Sequence, residues 1–540
     1  MDPSTVIDNN GLEVAQNTNL PLFFCSANDT ACTSLVPVVG QAISGSTSGT
    51  KYVVTLRSNV YYSNGDPFNA YVVWYNIYRD LIINQASDFI FYTYFNSTGI
   101  TAADLNSFDT ATNVPTNQTL LKLMETPGNS VVVLNSTAVQ FNLDIVFAPF
   151  EFTIDTAPWV FVDPFVVESH GGVVANQPNT WMSVNGTNIG DGPYVTAAYV
   201  PNAYTEMVAN PHYWAQNLTG SQTNYILQPA KIHEILINYK TDELTRSEDI
   251  ETGASQASIT SFDDIPTVLK ACGTSCYIPN IGLTGSIEWV AIDELMAPLT
   301  NPLLREAIIT AINVTQIQQT VYNGYAVPVV GPNLKGLAFY NNSFLPPVQN
   351  VAKAEQLLTQ AGYPSGNGLP AINYYYYTST YQADVAQIIK QDLGAIGITV
   401  DIHELSQASL IALQGVPGNN ATAMEMFSIN WTYYPDFSAY EYLVDSSLGV
   451  YGNMHNQTIL NLIDESNSQL NPTLRGQEIS QITQDVQQAN AMIWLGQDLD
   501  VYDPGAGIGP TIFNHCVSGL WYNTAFNGID FNAAYYSCNP

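Results

Sequence analysis

The sequence predicts a mixed α/β fold, mostly β in its early part and α/β later. Three observations predict it. Paired runs of alternating β-branched and aromatic residues, split by short Asn- or Pro-containing turns, recur through the early part. Helical periodicities opened by Asn or Pro follow further along. Between Ile372 and His403 a strand, a helix and a second strand succeed one another, which demands a right-handed parallel crossover. With 540 residues, and roughly 100–200 per domain, the chain has room for about three domains or lobes. Its 46% hydrophobic and 11% aromatic residues supply a large core.

The elements follow in order. After the loop Gly45–Thr50 comes the first clear strand, Tyr52–Arg57. Asn64-Gly65-Asp66-Pro67 is a turn, because Gly supplies positive φ and Pro fixes φ. Asn69 then caps a helix with Val73, Ile77 and Leu81 on one face. Ser130–Leu134 and Ala138–Leu143 form a strand pair, and Tyr194–Val200 with Tyr204–Ala209 a hairpin about Pro201-Asn202. Ile232–Tyr239 alternates as a strand. Asn301 caps a helix with Pro302 at its first position, lined by Leu304, Ala307, Ile308 and Ala311. Val351–Ala361 is a helix stopped by Gly362. Ile372–Thr378 and Ile398–His403 are the strands of the crossover, with Val385, Ile388, Ile389, Leu393 and Ile396 on the helix between them. Helices over Thr458–Ser466 and Gln477–Met492 complete the pattern.

Composition narrows the function. Thirteen Lys+Arg against 46 Asp+Glu leave a net charge of −33, yet charged residues are only 11% of the chain. Such a charge argues against nucleic acid and anionic membrane surfaces as main partners. Neutral Asn, Gln, Ser, Thr and Tyr stand where Lys and Glu normally sit. Near pH 3 about nine-tenths of ordinary carboxyls are protonated, whereas every Lys and Arg keeps its charge. Scarcity of Lys therefore points to an acidic extracellular medium. A halophilic surface is also acidic, but it is crowded with Asp and Glu, and here they are sparse.

Six cysteines fall into three close sequence pairs, Cys25 with Cys32, Cys272 with Cys276 and Cys516 with Cys538, and local disulfides are the simplest reading. The CxxxC spacing at 272–276, with no second pair nearby, argues against zinc. Sequons stand at Asn28, Asn96, Asn117, Asn135, Asn185, Asn217, Asn313, Asn341, Asn420, Asn430 and Asn456, and are expected to carry glycans on an exported protein. Met1-Asp2-Pro3 leads into polar sequence without a signal peptide, and no apolar run of about 18 residues spans a bilayer. A leader or anchor is expected outside Met1–Pro540.

Catalytic signatures are weak. Asp109–Ala111 and Asp155–Ala157 are Asp-Thr-Ala triplets, but aspartic-protease loops end in Gly or Ser and sit one per lobe. There is no Gly-X-Ser-X-Gly elbow, phosphate loop or dinucleotide fingerprint. His170, His212, His233, His403, His455 and His515 are scattered, and protonated imidazole binds no metal in acid. No metal and no cofactor are expected.

Several stretches together resemble the family 5 extracellular solute-binding proteins, the peptide/nickel-type receptors of ABC importers. They are Tyr52–Arg57 with Val60–Ala70, Gly190–Tyr194 with Val208–Trp214, Pro302–Ile308 with Gly324 and Pro328, Ala354–Pro364, Gln391–Val400 and Trp431–Asp436, with Asp2-Pro3 at the start. They run in family order over nearly the whole chain. Ser63-Asn64 departs from the family's His-Asp. Tyr433 stands where the family has the aspartate that holds a peptide's α-amine.

The resemblance implies an α/β, two-lobed periplasmic-binding-protein-like fold (type II, cluster C) with an extra subdomain on the first lobe. It implies ligand capture by hinge closure and no catalysis. Lobe I is expected at 1–45, 165–288 and 500–540, its accessory subdomain at 46–164, and lobe II at 289–499, with a hinge strand before Trp289 and a return near Trp494–Tyr502. The expected ligand-binding residues are Trp431, Tyr433, Tyr434, Asp436, Trp289 and Trp494, with Asp436 weighed also as a structural cap. The expected protein is a monomer that captures an oligopeptide or oligosaccharide at the cell surface and delivers it to a membrane ABC permease. The rivals are an extracellular acid hydrolase, peptidase or glycosidase, and a structural envelope protein.

Overall fold

The computed structural model describes all residues except 1, 7–8, 27–28, 30–33, 85–93, 97–98, 155–158, 186–188, 281, 415–423, 433–435, 437–455, 500–509, 520, 524–527, 532–533 and 538–540. The chain divides into two compact units, one of residues 1–242 with 515–540 and one of residues 243–514.

The first unit opens with helix α1 (Asn9–Thr18). Strands β1 (Gly40–Gly45), β2 (Lys51–Leu56), β3 (Val131–Asn135) and β4 (Ala138–Asn142) form an antiparallel sheet in the order β1-β2-β4-β3. Helix α2 (Ala70–Ile83) packs on it, and the Trp74 indole donates to the Val131 carbonyl at 3.0 Å. Its start is chemical: the Asn69 side chain accepts from the backbone N–H of Tyr71 and Val72, as the cap reading expects. Helix α3 (Gln118–Met124) precedes β3. A second antiparallel sheet joins β5 (Tyr194–Val200), β6 (Tyr204–Ala209) and β7 (Glu234–Asn238).

The Gly190-Asp191-Gly192 turn explains its own composition. A Cβ on Gly190 would lie 2.0 Å from the Thr18 carbonyl oxygen, so only glycine lets the two backbones meet. Asp191 locks that contact by accepting the Leu20 N–H at 2.9 Å.

In the second unit, helices α4 (Glu243–Thr252) and α5 (Ile265–Cys272) accompany a small sheet in which β16 (Thr511–Asn514) lies between β8 (Ala257–Ile259) and β9 (Cys276–Tyr277). The disulfide Cys272–Cys276 ties α5 to β9, as the spacing predicts. The main sheet has six strands: β10 (Leu283–Ile292), β11 (Ala326–Val327), β12 (Ile372–Tyr377), β13 (Val400–Leu405), β14 (Met426–Thr432) and β15 (Met492–Leu499). Their order is β11-β15-β10-β14-β12-β13. β12 runs parallel to β13, with helix α8 (Thr380–Ala395) as the crossover that the sequence pattern requires. Helices α6 (Pro302–Ala311), α7 (Val351–Gln360), α9 (Gln457–Ser468) and α10 (Pro472–Ala489) surround the sheet, and their apolar faces join one core.

The compact units and the helix bounds do not all coincide with the spans read from the sequence. Residues 243–288 and the described part of 500–514 belong to the second compact unit, because Phe262 and Ile265 pack into the same core as Ile287 and Trp289. Helix α10 starts at Pro472 rather than Gln477 and ends before Met492, which opens β15. The Asn471 side chain accepts from the N–H of Thr473 and Leu474, and Asn490 ends the helix in the left-handed region at φ 52°.

Candidate ligand-binding site

Three of the expected site residues, Trp289, Trp431 and Trp494, converge on the centre of the six-stranded sheet. In register, Trp289 on β10 faces Ile429 on β14 and Trp494 on β15, and Ile287 faces Trp431. Residues 287, 289, 429 and 431 therefore share one face, since side chains alternate along a strand. The rings of Trp289 and Trp494 lie 5.9 Å apart at 48°. Both are core: Trp289 is fully buried and Trp494 is 5% exposed, enclosed by the apolar faces of the second unit. The sequence reading made them ligand contacts; the structure makes them the support behind the strand end. Trp431 differs, being half-buried beside that core at the penultimate residue of β14. Tyr433 and Tyr434 lie outside the described residues.

Asp436 is 4% exposed, and both carboxylate oxygens accept from the Arg475 guanidinium, at 2.5 and 2.8 Å. Arg475 also donates to the Ser466 carbonyl at 3.0 Å and lies over the Phe339 ring at 5.4 Å. Asp436 is thus fixed to α10 through Arg475, which in turn holds α9, in keeping with the structural role also expected of it. With its oxygens so engaged it is an anchor and not an open anion for a ligand's ammonium.

A polar centre that the sequence reading missed lies on the neighbouring position of β10. Glu288 is 1% exposed and accepts from the Tyr322 hydroxyl at 2.5 Å, the Tyr381 hydroxyl at 2.8 Å and the Gln382 amide at 3.2 Å. Burial, with Asp498 nearby, pushes its carboxyl up to about 8 despite the two tyrosine hydrogen bonds. Burial also raises Asp498 to about 7. A carboxyl at an alternating-strand position with apolar neighbours gave no warning, because single acids on strands usually face water.

The Arg475 anchor did leave a signal. Arg475, Ile479, Ile482 and Val486 are all buried on α10 and fall on one helical stripe. A guanidinium in an apolar stripe of a chain with 13 basic residues needs a buried acceptor. Arg79 obeys the same rule in the first unit: it is buried, pairs with Asp2 at 2.5 Å and lies 3.6 Å from Asp80. Asn64, which replaces a family aspartate, donates to Asp66 at 2.7 Å and to Asp163 at 3.0 Å. There the amide donates to both members of a carboxyl pair that also touch each other.

Other expectations resolve more simply. Asp109 accepts from the N–H of Ala111 and Thr112, which makes it a turn residue; Asp155–Ala157 lies outside the described residues. His403 stacks on Tyr375 at 4.6 Å and His170 on Trp181 at 3.8 Å. Among the described residues no group of three or more His, Cys, Asp and Glu could hold a metal ion, and no helix is long and apolar enough to cross a membrane. Cys25 and Cys516 are disulfide-bonded; Cys32 and Cys538 lie outside the described residues.

Residues 34–450 match the family described as bacterial extracellular solute-binding proteins, family 5, middle region. The glutathione-binding protein GsiB of Salmonella typhi is 23% identical over 399 residues, covering 73% of this chain and 66% of its own length. The substrate-binding protein CtaP of Listeria monocytogenes superposes with a TM-score of 0.75 at 17% identity, covering 99% of this chain and 96% of its own. The periplasmic binding protein DppA of Helicobacter pylori, solved with the peptide STSA, gives 0.73 at 18% identity, with 99% and 96% covered. These likenesses place the fold among the two-lobed periplasmic binding proteins, a set of substrate-binding proteins and not of enzymes.

Proposed function

Since the chain belongs to the family 5 bacterial extracellular solute-binding proteins, we propose that it captures a short peptide outside the cell and hands it to an ABC permease. The observation that carries this reading is the family match over 34–450, the region that contains Trp431 and the anchored Asp436. The ligands named for its relatives, glutathione and the peptide STSA, support a peptide as the substrate class. In this reading Trp431 supplies an aromatic platform at the end of β14, backed by Trp289 and Trp494. Tyr433 offers a neutral hydroxyl where peptide receptors of the family offer a carboxylate.

That exchange suits acid. A carboxylate that must pair with an ammonium loses its charge near pH 3 unless its pKa is depressed, whereas a phenol does not titrate there. Recognition then rests on aromatic contact and neutral hydrogen bonds, and affinity changes little with salt. Native mass spectrometry of the protein purified from its own cells, followed by titration calorimetry with the co-purified molecule, tests the reading. A bound peptide is expected. A bound oligosaccharide would transfer the receptor role to sugars, and turnover of either ligand would remove it.

A further inference from the structure

Eight sequon asparagines have described side chains, and the structure sorts them. Asn135 sits in the turn between β3 and β4, and its Oδ1 accepts both the N–H and the hydroxyl of Thr137, at 2.9 and 3.0 Å. Asn117 accepts the Thr119 N–H at 2.9 Å, and Asn456 accepts the Thr458 N–H at 3.1 Å. All three are exposed. In each, the hydroxyl residue of the sequon folds back on the carbonyl of the asparagine amide. The Nδ2 amino group takes no part in that turn.

The others differ. Asn96 uses Nδ2 to donate to Asp144 at 2.5 Å. Asn341 is half-buried, with Nδ2 3.4 Å from the Ser480 hydroxyl. Asn430 is half-buried on β14, where it pairs with Glu288 of β10. Asn313 is half-buried and accepts from the Gln316 N–H, one residue beyond its sequon threonine. Asn217 is exposed and ends the short 3-10 helix Trp214–Asn217.

We propose that Asn117, Asn135 and Asn456 are N-glycosylation sites of this protein, and that Asn96, Asn341 and Asn430 stay unmodified. The co-reactant is a lipid-phosphate-linked oligosaccharide supplied by a membrane transferase. Nδ2 forms a bond to the anomeric carbon, the carbon–oxygen bond to phosphate breaks, and its electron pair leaves with the lipid phosphate. The Nδ2 proton passes to a base on the transferase. The product is a secondary amide that keeps its Oδ1, so the turns at Asn117, Asn135 and Asn456 survive the modification. That is the physical reason these positions tolerate a glycan, whereas at Asn96 a sugar on Nδ2 would crowd the Asp144 carboxylate that Nδ2 contacts.

The proposal rests on the extracellular reading and not on the nature of the ligand. The test is glycopeptide mapping of the full-length protein from its own cells, with the single variants Asn117→Asp, Asn135→Asp and Asn456→Asp. Aspartate keeps the carbonyl acceptor of the turn and lacks the amide nitrogen. Each variant is expected to lose one glycan mass, with its melting temperature and ligand binding within error of the same protein enzymatically stripped of glycans. Three unmodified asparagines in protein that still binds its ligand would overturn the proposal and leave the receptor reading standing. A glycan on Asn430 would overturn the sorting.

Discussion

A carboxylate and a guanidinium that are both nearly dry hold each other far more strongly than a surface pair, because either one alone is an uncompensated buried charge. Asp436 and Arg475 meet that condition, with side chains 4% and 6% exposed. Asp436→Asn or Arg475→Met alone is expected to lower stability by about 3–5 kcal/mol in a urea titration. The double change Asp436→Leu with Arg475→Met should recover much of the loss. A single variant that melts like wild type would show that water reaches the pair. Trp431 makes the complementary case. It is half-buried at the strand end, so truncation to alanine should weaken binding of the co-purified ligand by about 2 kcal/mol or more. Calorimetry on wild type and Trp431→Ala decides it: equal dissociation constants would take Trp431 out of the site.

At the scale of elements, the crossover is closed by two glycines. A Cβ on Gly397, which has φ +90°, would lie 2.3 Å from the Ser365 carbonyl oxygen; one on Gly366, at φ +74°, would lie 1.8 Å from the Gly397 oxygen. The turn after α7 and the turn into β13 meet backbone to backbone. Gly397→Ala is therefore expected to cost about 2–4 kcal/mol through both strain and collision. Gly394, three residues earlier inside α8, has nothing within 4 Å of a built Cβ, and Gly394→Ala should stabilise by about 0.5–1 kcal/mol. Thermal melts of the two variants should move in opposite directions, and a shared sign would refute the contrast. These elements were legible where local chemistry alone sets them. Asn69 and Asn301 cap where they were read, and the hairpin 194–209 has the expected bounds. Helix α10 was misread because Arg475 interrupts its apolar stripe, so the periodicity became visible only from Ile479. The site was legible as a loop, but the roles within it were not. Whether a tryptophan supports a sheet or faces a ligand depends on which strands flank it, and β10, β14 and β15 are far apart in sequence.

The whole molecule is built so that its interior favours protons. Burial is the first cause raising Asp80 to about 7, Asp163 to about 6, Asp191 to about 7, Asp263 to about 6, Glu288 to about 8 and Asp498 to about 7. Each folded value lies above the unfolded one near 4, so between the two the native state binds more protons than the unfolded chain. That linkage makes stability full below about pH 4 and diminishes it as pH rises through about 6 to 8. The surface acts in the same direction, since lowering the pH relieves repulsion within a net charge of −33. On the acidic-medium reading proposed above, scarcity of Lys and these raised carboxyls serve the same end: groups that are neutral in acid need neither water nor a counter-ion there. The melting temperature is therefore expected to be several degrees higher at pH 4 than at pH 7.5, and equal or lower values at pH 4 would contradict the argument. Glu288 provides the sharpest single-group form of it. The Tyr322 and Tyr381 hydroxyls that donate to it favour the anion, but burial disfavours the anion more, so the neutral acid prevails. Glu288→Gln fixes the neutral form in nearly the same volume. The variant should match wild type at pH 4, melt higher than wild type at pH 8, and show a shallower fall in stability between pH 6 and 8. A variant whose pH profile runs parallel to wild type would mean that Glu288 carries no share of the acid preference.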